Sequence, residues 1–415
     1  MSLKTVTDIP PPEMPLRNDV VKMSQAISVY FNELVYEMKR RGEDVVTLSL
    51  GEAFFDIPMM DFSKLDFAKG CHYSDSLGLP ELRSRLASYY RDKFDAAVSG
   101  TDDLLISAGS KPLIYMIMLG LVEVGEEILI PEPAWVSYSE QARMVGATPK
   151  FIPYNCPVDS FSHYFNLKTR MLIINNPNNP AGRLYSEADL NLIYNLCRPR
   201  GIYVLVDEVY NDFILDDQFC SMIKIVPNKD GVIVTNSLSK NMGISGWRIG
   251  YAIATPMVIK TLLKINQHLI TCAPTLLLQY CAKYFDELLG ITLPQVQDVV
   301  KKRTKVDEML KKLGISRVSG SSTFYFFVNL GAYEGTSMQF ALSLLLEHNI
   351  AVVPGSAYGH STDRFVRLSV GAESLERVWE SLLIIKRHIE TKEYDHEKII
   401  ERLVDYNIDP NLVAK

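Results

Sequence analysis

Several features of secreted, membrane and nucleic-acid-binding proteins are missing from this sequence of 415 residues. Its six cysteines are scattered and form no CxxC pair, so neither a disulfide scaffold nor a thiolate metal site is indicated. Reduced thiols in the cytoplasm are the simplest interpretation, and we expect no metal. The net charge of −6 provides no general basic field, so we also expect no nucleic-acid partner.

Long apolar runs are missing as well. The longest in the middle of the chain, residues 113–122, is too short to span a bilayer, and residues 1–19 contain no apolar signal-peptide core. We therefore expect no membrane segment and no signal peptide. What the sequence does have is 47% hydrophobic and 22% charged residues, which is typical of a globular protein with a large core.

Short apolar runs alternate with helical stretches between about residue 80 and residue 285. The apolar runs lie at 104–107, 127–130, 171–174, 202–206, 232–235 and 251–254, and helical patterns include 112–122 and 187–197. This alternation predicts an α/β fold whose mostly parallel central sheet is buried on both faces and flanked by helices. Ligands of such sheets bind beyond the carboxyl ends of the strands.

The rest of the chain predicts a smaller α+β domain. Its expected elements are helices at 24–41, 294–313 and 375–389, and strands at 45–50, 322–330 and 364–370. We divide the chain into an N-terminal arm (1–20), a small domain (21–60 and 300–392), a large domain (61–299) and a C-terminal extension (393–415). The extension is charged and partly helical around residues 398–404.

One segment indicates a specific chemistry. In Ser237-x-Ser239-Lys240, two hydroxyls precede a lysine, and Arg248 follows eight residues later. A lysine that forms an imine with an aldehyde cofactor needs a small polar loop of this kind. The hydroxyls and the guanidinium can hold a phosphate at the other end of the same molecule. Taken alone, the segment would be read as a basic surface loop.

Other segments remove that ambiguity because they resemble a known family in the same order along the chain. Together with the lysine segment they are Leu50-Gly51-Glu52, Tyr73-x4-Gly78, Gly109-Ser110-Lys111, Pro133-x-Trp135-x2-Tyr138, Asn176-Pro-Asn-Asn179-Pro-Ala-Gly182, Asp207-Glu-Val-Tyr210 and Arg367-Leu-Ser. The chain thus resembles the class I/II aminotransferases of the aspartate aminotransferase fold (fold type I). The resemblance covers roughly residues 25–390 and implies pyridoxal 5'-phosphate as cofactor.

The resemblance assigns roles around the cofactor ring. Lys240 would carry the cofactor as an imine, and Asp207 would keep the ring nitrogen protonated, which strengthens the electron sink. Asn179 and Tyr210 would contact the phenolic oxygen, and Trp135 would stack on the ring. Standing alone, an aspartate in this place would be read as a helix N-cap, Asn-Pro as turn chemistry and the tryptophan as a core residue.

The resemblance also assigns the two anionic groups. Ser110 and Lys111 at a helix N-terminus, with Ser237, Ser239 and Arg248, would hold the phosphate. Tyr73 would reach the phosphate of a second subunit, which implies a homodimer; the alternative is an ordinary interface or core tyrosine. Arg367 would bind the substrate α-carboxylate by a bidentate fork, assisted by Asn179 and the Gly51 backbone.

The activity implied is transfer of an amino group from an L-amino acid to a 2-oxo acid with ping-pong kinetics. Lys111 resembles a lysine that binds the distal carboxylate in a bacterial aspartate/prephenate subgroup, which would make aspartate or glutamate the donor. The alternative for Lys111 is that only its backbone serves the phosphate. Two other functions stay open: a pyridoxal-phosphate lyase or other fold-type-I enzyme, and a cofactor-binding regulator, although no basic helix-turn-helix precedes residue 24.

Overall fold

The structure is a computed structural model that describes Leu16, residues 18–21, Met23, and residues 27–215, 219–391 and 396–406. Most of the expected N-terminal arm (1–20) and the end of the expected extension (407–415) lie outside the described residues. Within the described ranges, no helix combines the length and the apolarity needed to cross a bilayer.

The helices of the described residues outnumber the predicted ones and include a counterpart of each of these. They are Asn18–Val21 (α1), Ile27–Arg40 (α2), Phe67–Gly70 (α3), Pro80–Phe94 (α4), Ser110–Leu121 (α5), Ser137–Met144 (α6), Glu187–Cys197 (α7), Met222–Ile225 (α8), Leu238–Asn241 (α9), Pro256–Leu269 (α10), Thr275–Lys283 (α11), Phe285–Lys312 (α12), Ser337–His348 (α13), Leu375–Thr391 (α14) and His396–Asp405 (α15). Helix α5 begins two residues before the predicted start at Pro112, since proline is tolerated in the first helical turn.

The strands form one large and one small sheet and a short pair. They are Val46–Thr47 (β1), Leu104–Ser107 (β2), Glu127–Pro131 (β3), Thr148–Ile152 (β4), Thr169–Asn175 (β5), Tyr203–Asp207 (β6), Val232–Ser237 (β7), Gly250–Ile253 (β8), Tyr325–Asn329 (β9), Ile350–Ala351 (β10), Val353–Pro354 (β11) and Phe365–Ser369 (β12). The sequence did not predict β4, β10 or β11. The edge strand β4 exposes part of its surface and contains a proline, so it lacks the continuous apolar run of a central strand.

The large sheet has seven strands in the order β2-β8-β7-β6-β5-β3-β4. Five neighbouring strands pair in parallel, and β8 runs antiparallel to both β2 and β7, which confirms the mostly parallel α/β fold. Both faces are buried: Leu172 and Ile174 of β5 belong to one core and Met171 and Ile173 to another. This alternation follows from the two-residue period of a strand.

The second sheet is antiparallel, in the order β11-β12-β9, and β1 pairs in parallel with β10. These strands share a separate core with helices α2, α13, α14 and α15. We call the part of the molecule built on the seven-stranded sheet the large lobe and the part built on the three-stranded sheet the small lobe. Helix α15 adds Ile399 and Leu403 to the small-lobe core.

Helix α12 connects the lobes. It begins at Phe285 rather than at the predicted residue 294, and Pro294 lies in its interior. A proline inside a helix loses one hydrogen bond and is normally disruptive. Here both sides of it are anchored by packing, since Leu288 lies in a large-lobe core and Val296 in the small-lobe core.

Candidate active site

Three parallel strands deliver the polar residues of the site to one edge of the large sheet. Asn175 is the last residue of β5 and pairs in register with Asp207, the last residue of β6. Ser237 ends β7 and caps helix α9, which carries Lys240. Because neighbouring parallel strands end at the same edge, the predicted residues converge as expected.

Asp207 is a buried carboxylate, only 5% exposed. Its oxygens accept hydrogen bonds from the Tyr138 hydroxyl at 2.6 Å and from the Val209 backbone N–H at 3.3 Å. Burial raises the pKa of Asp207 from its usual 3.8 to about 6, and the Tyr138 hydrogen bond, the Val209 N–H and the nearby Lys240 ammonium act against this rise. Tyr138 appeared in a sequence motif, but no role was predicted for it.

Lys240 is carried by helix α9 of the large lobe. Its Nζ donates a 2.7 Å hydrogen bond to the Gly51 carbonyl and lies 5.8 Å from the centre of the Tyr210 ring. Burial lowers the pKa of Lys240 from 10.5 to about 8; the negative charge of Glu52 opposes this effect and the positive charge of Arg367 adds to it. A larger fraction of the Lys240 amine is therefore neutral near pH 7 than for a lysine with the usual pKa of 10.5, and a nucleophilic amine must be neutral.

Asn179 and Tyr210 are fixed by contacts that the sequence could not specify. The Asn179 backbone N–H donates to the Asn175 side chain at 2.6 Å, and the Asn179 Oδ1 accepts from Arg367 at 3.2 Å. The Tyr210 hydroxyl shares a 2.9 Å hydrogen bond with the hydroxyl of Tyr325. Both side chains are buried, so their orientation is determined before any ligand binds.

Arg367 on β12 is a buried cation of the small lobe. Its Nη2 donates to the Ser49 carbonyl at 2.5 Å, and its guanidinium lies 4.6 Å from the centre of the Tyr325 ring and 5.5 Å from that of Tyr358. Its Nε has no hydrogen-bond partner among the described residues. A buried donor without a partner is costly, so this nitrogen fits an acceptor supplied by a ligand, such as a carboxylate.

An anion cradle lies at the start of α5. Gly109 caps this helix with a positive φ of 97°, and the backbone N–H groups of Ser110 and Lys111 form its first turn. Arg248 packs so closely that a Cβ at Gly109 would lie 2.4 Å from its Nη2. Helix N-terminal N–H groups beside a guanidinium form a phosphate site. The Ser237 hydroxyl accepts from the Ser239 backbone N–H at 3.3 Å, so both serines lie in one tight cap.

Trp135, Lys111 and Tyr73 are more accessible. Trp135 is half-buried and contacts Tyr138 edge-on with the ring centres 5.2 Å apart, so it is not a core residue. The Lys111 ammonium lies 5.2 Å from the centre of the Trp135 ring, and desolvation and Arg248 lower its pKa. Tyr73 is 85% exposed, which excludes a place in the core of the single chain.

Comparisons with known proteins give one consistent family. Residues 48–382 match the model of the family "Aminotransferase class I and II". The chain is 31% identical over 352 residues to the aspartate aminotransferase of Thermotoga maritima, with 83% of this chain and 91% of the relative covered. It is also 31% identical over 379 residues to the probable aspartate/prephenate aminotransferase of Aquifex aeolicus, with 85% and 93% covered.

Solved structures are similar over most of the chain. The aromatic aminotransferase of Pyrococcus horikoshii OT3 superimposes with a TM-score of 0.79 at 28% identity, covering 86% of this chain and 99% of that structure. The fold is therefore that of the fold-type-I aminotransferases, whose cofactor is pyridoxal phosphate. The half-buried lysine, the buried carboxylate and the cradle at Gly109 fit that group. This chain belongs to the class I and II aminotransferase family and is a pyridoxal-phosphate-dependent transaminase.

Proposed function

We propose that this transaminase uses a dicarboxylic L-amino acid, aspartate or glutamate, as amino donor and a 2-oxo acid as acceptor, in an active site built around Lys240. The observation that carries the proposal is the position of Lys111. Its ammonium lies 5.2 Å from the centre of the Trp135 ring, which would stack on the cofactor, and it would pair there with a second carboxylate of the substrate. The name of the Aquifex aeolicus relative, aspartate/prephenate aminotransferase, supports this choice.

The chain's own residues would hold the cofactor at three points. Lys240 would attach it, Asp207 would pair with its ring nitrogen, and the cradle of Ser110, Lys111 and Arg248 would bind its phosphate. The serines of the lysine segment, Ser237 and Ser239, would add to the cradle. The bound cofactor supplies an electron sink for the charge left when the substrate loses its α-proton.

The remaining chemistry is orientation and proton transfer by the protein. Arg367 would hold the substrate α-carboxylate through its guanidinium fork and its Nε, which lacks a hydrogen-bond partner among the described residues. Asn179 and the Gly51 backbone would assist. The Nζ of Lys240 would then take the α-proton and return it, and a pKa of about 8 makes the neutral, proton-accepting form accessible. Tyr210, whose ring centre lies 5.8 Å from that nitrogen, would keep the cofactor ring in place.

A panel of amino donors, run with 2-oxoglutarate and pyruvate as acceptors, tests the substrate. Aspartate or glutamate should have the highest kcat/KM, and Lys111→Ala should raise KM for dicarboxylic donors well above its effect on neutral donors. Lys264→Ala, on an exposed site of α10, is the control and should change neither. Aromatic, basic or small neutral donors far ahead of aspartate would contradict the proposal. Turnover without any acceptor would favour the lyase alternative.

Lys240→Ala tests the site itself. It should abolish turnover, and borohydride reduction should no longer fix the cofactor covalently to the protein, as judged by mass. Near-wild-type activity of this variant would exclude Lys240 as the attachment residue.

We also propose a homodimer whose sites each receive Tyr73 from the other subunit. Large apolar side chains are exposed close to Tyr73 in sequence, including Phe54, Met59 and Phe67, which is typical of an interface. Tyr73→Ala and Lys240→Ala should each be inactive or weak. Dissociating and reassociating the two variants together should restore activity. In a mixed dimer, one site then combines Lys240 of the Tyr73→Ala subunit with Tyr73 of the Lys240→Ala subunit, so that site contains neither change. No recovery despite proven exchange would contradict a shared site.

The proposed domain division has support in the cores. Phe55 packs against the small-lobe core and Ile57 against a large-lobe core, close to the boundary at residue 60. Along α12 the change of core falls near Pro294, close to the boundary at residue 300. A cytoplasmic location remains our proposal, supported by six cysteines that are all free; cell fractionation tests it.

A further inference from the structure

A buried carboxylate fastens the two lobes together next to the active site. Glu132 follows strand β3 of the large lobe and is only 4% exposed. It accepts hydrogen bonds from the backbone N–H of His360, from the backbone N–H of Ser361 at 3.0 Å, and from the Ser361 hydroxyl. These donors belong to the loop of residues 355–362, which leads directly into β12 and Arg367. We call this contact the lobe latch.

The same loop is held by the large lobe at two further points. The Ala134 backbone N–H donates to the Tyr358 carbonyl at 2.9 Å, and the Tyr154 backbone N–H donates to the Ser361 hydroxyl at 3.3 Å. The Tyr358 ring in turn lies 5.5 Å from the Arg367 guanidinium. A continuous set of contacts therefore runs from Glu132 through the loop to the arginine.

The loop is built to receive a carboxylate. The Thr362 hydroxyl bonds to the carbonyls of Gly355 and Gly359 at 2.7 and 2.8 Å, which closes the loop on itself. At Gly359 a Cβ would lie 2.4 Å from the Glu132 carboxylate, so only glycine allows the approach. The closed loop and the lack of a side chain at Gly359 together leave room for the Glu132 carboxylate against the loop backbone.

A gain in the free energy of unfolding does not by itself explain why a carboxylate is buried at this contact. The three donors to Glu132 are neutral groups, and burying a carboxylate is expensive unless its bonds compensate. What the latch does accomplish is to fix the position of one lobe on the other. Every partner of Glu132 in the latch lies on the small lobe, and Trp135 of the large lobe follows three residues later.

We propose that Glu132 is a positioning residue: by seating the 355–362 loop, it holds Arg367 at the place where the substrate α-carboxylate binds. This inference rests on the proposed role of Arg367. Loss of the latch should weaken binding of both the amino acid and the 2-oxo acid. Cofactor binding should be spared, because the lysine, the carboxylate and the phosphate cradle that would hold the cofactor all lie in the large lobe.

Glu132→Gln tests the proposal in the holoenzyme. The amide keeps the shape but loses the charge and presents an N–H₂ group toward hydrogen-bond donors. KM for both substrates should rise about tenfold to about a hundredfold, the loss expected for hydrogen bonds to a charged group, with a smaller change in kcat and in cofactor affinity. Ser361→Ala, which removes one donor and keeps the carboxylate, should give a smaller rise in KM and serves if Glu132→Gln folds poorly.

Glu127→Gln is the matched control. Glu127 begins β3, is also buried, and bonds to Asn166 within the large lobe at 2.7 Å. The Glu127→Gln variant should have a lower Tm than the wild type and an unchanged KM. If Glu132→Gln and Ser361→Ala lower Tm but leave both KM values at the wild-type level, the positioning role is wrong. Arg367→Lys separates the two proposals. If this variant leaves KM unchanged, the proposed role of Arg367 is wrong. If it raises KM while Glu132→Gln and Ser361→Ala leave KM unchanged, only the proposed role of the latch is wrong.

Discussion

Replacing Tyr138 by phenylalanine isolates one interaction that controls the charge of Asp207. The change removes only the hydroxyl that donates to the carboxylate at 2.6 Å, and the ring of Tyr138 keeps its place in a hydrophobic core of the large lobe. Among the described residues, the donor that remains is the Val209 N–H at 3.3 Å, whose hydrogen bond is longer and weaker. The effect of burial on the pKa of Asp207 would then be opposed by this N–H and by the positive charge of Lys240, without the Tyr138 hydroxyl.

The size of the effect follows from two quantities. A hydrogen bond to a charged group is worth about 1.5–3 kcal/mol, and 1.36 kcal/mol corresponds to about one pKa unit. The pKa of Asp207, already raised to about 6, should therefore rise above neutrality in the variant without ligands. A protonated Asp207 cannot stabilise a cationic ring nitrogen, so the electron sink weakens. We expect about a tenfold fall in single-turnover rate, with KM little changed.

The pH dependence has a definite sign. The folded-state pKa of Asp207 lies above the usual 3.8, so the folded protein binds more protons than the unfolded chain between pH 3.8 and about 6. This group therefore lowers the stability of the cofactor-free protein as pH rises through that window. In Tyr138→Phe the window should extend to higher pH, and urea unfolding of the cofactor-free protein at several pH values measures it.

Tyr185→Phe is the control, because Tyr185 is equally buried but lies outside the contacts of Asp207. Stopped-flow single turnovers and cofactor titration should separate the two variants. A Tyr138→Phe enzyme with the wild-type single-turnover rate and the wild-type cofactor affinity would refute the reasoning.

Two further predictions concern packing. Gly109→Ala should weaken the binding of inorganic phosphate and of cofactor by at least about tenfold, because the new Cβ would lie 2.4 Å from Arg248 Nη2. Gly125→Ala is the control, since Gly125 also has a positive φ but has open space around it, and calorimetry should show unchanged binding for this variant. Leu403→Ala in α15 should lower the free energy of unfolding by about 2–5 kcal/mol, as for other buried leucines. Val404→Ala, on the exposed side of the helix, should change it little. Equal effects of the two variants would show that α15 does not pack against the small-lobe core.

The part of the site that could be predicted from the sequence is the part determined by strand ends. Asp207 and Lys240 follow continuous apolar runs, and parallel pairing brings such positions to one edge of the sheet. Local pattern alone therefore indicated a common site. The family motifs then supplied the chemistry of each residue, which pattern alone does not provide.

The contacts that tune the site could not be predicted in the same way. The Tyr210–Tyr325 hydrogen bond joins residues 115 positions apart, and the bond from His360 to Glu132 spans 228 positions. Such contacts depend on how the lobes pack, which periodicity does not report. Tyr138 is an intermediate case: it stands in a recognised motif, and its pairing with the strand-end aspartate could have been inferred from that.

Local charge and net charge have opposite signs in this protein. The chain carries −6 overall, yet Lys240, Arg248, Arg367 and Lys111 converge on a site whose buried carboxylate has a raised pKa. Lys240 feels the positive charges of Arg367 and Arg248, both of which lower its pKa, as burial does more strongly. Cations assembled against mutual repulsion favour anionic ligands, because each bound phosphate or carboxylate relieves that repulsion.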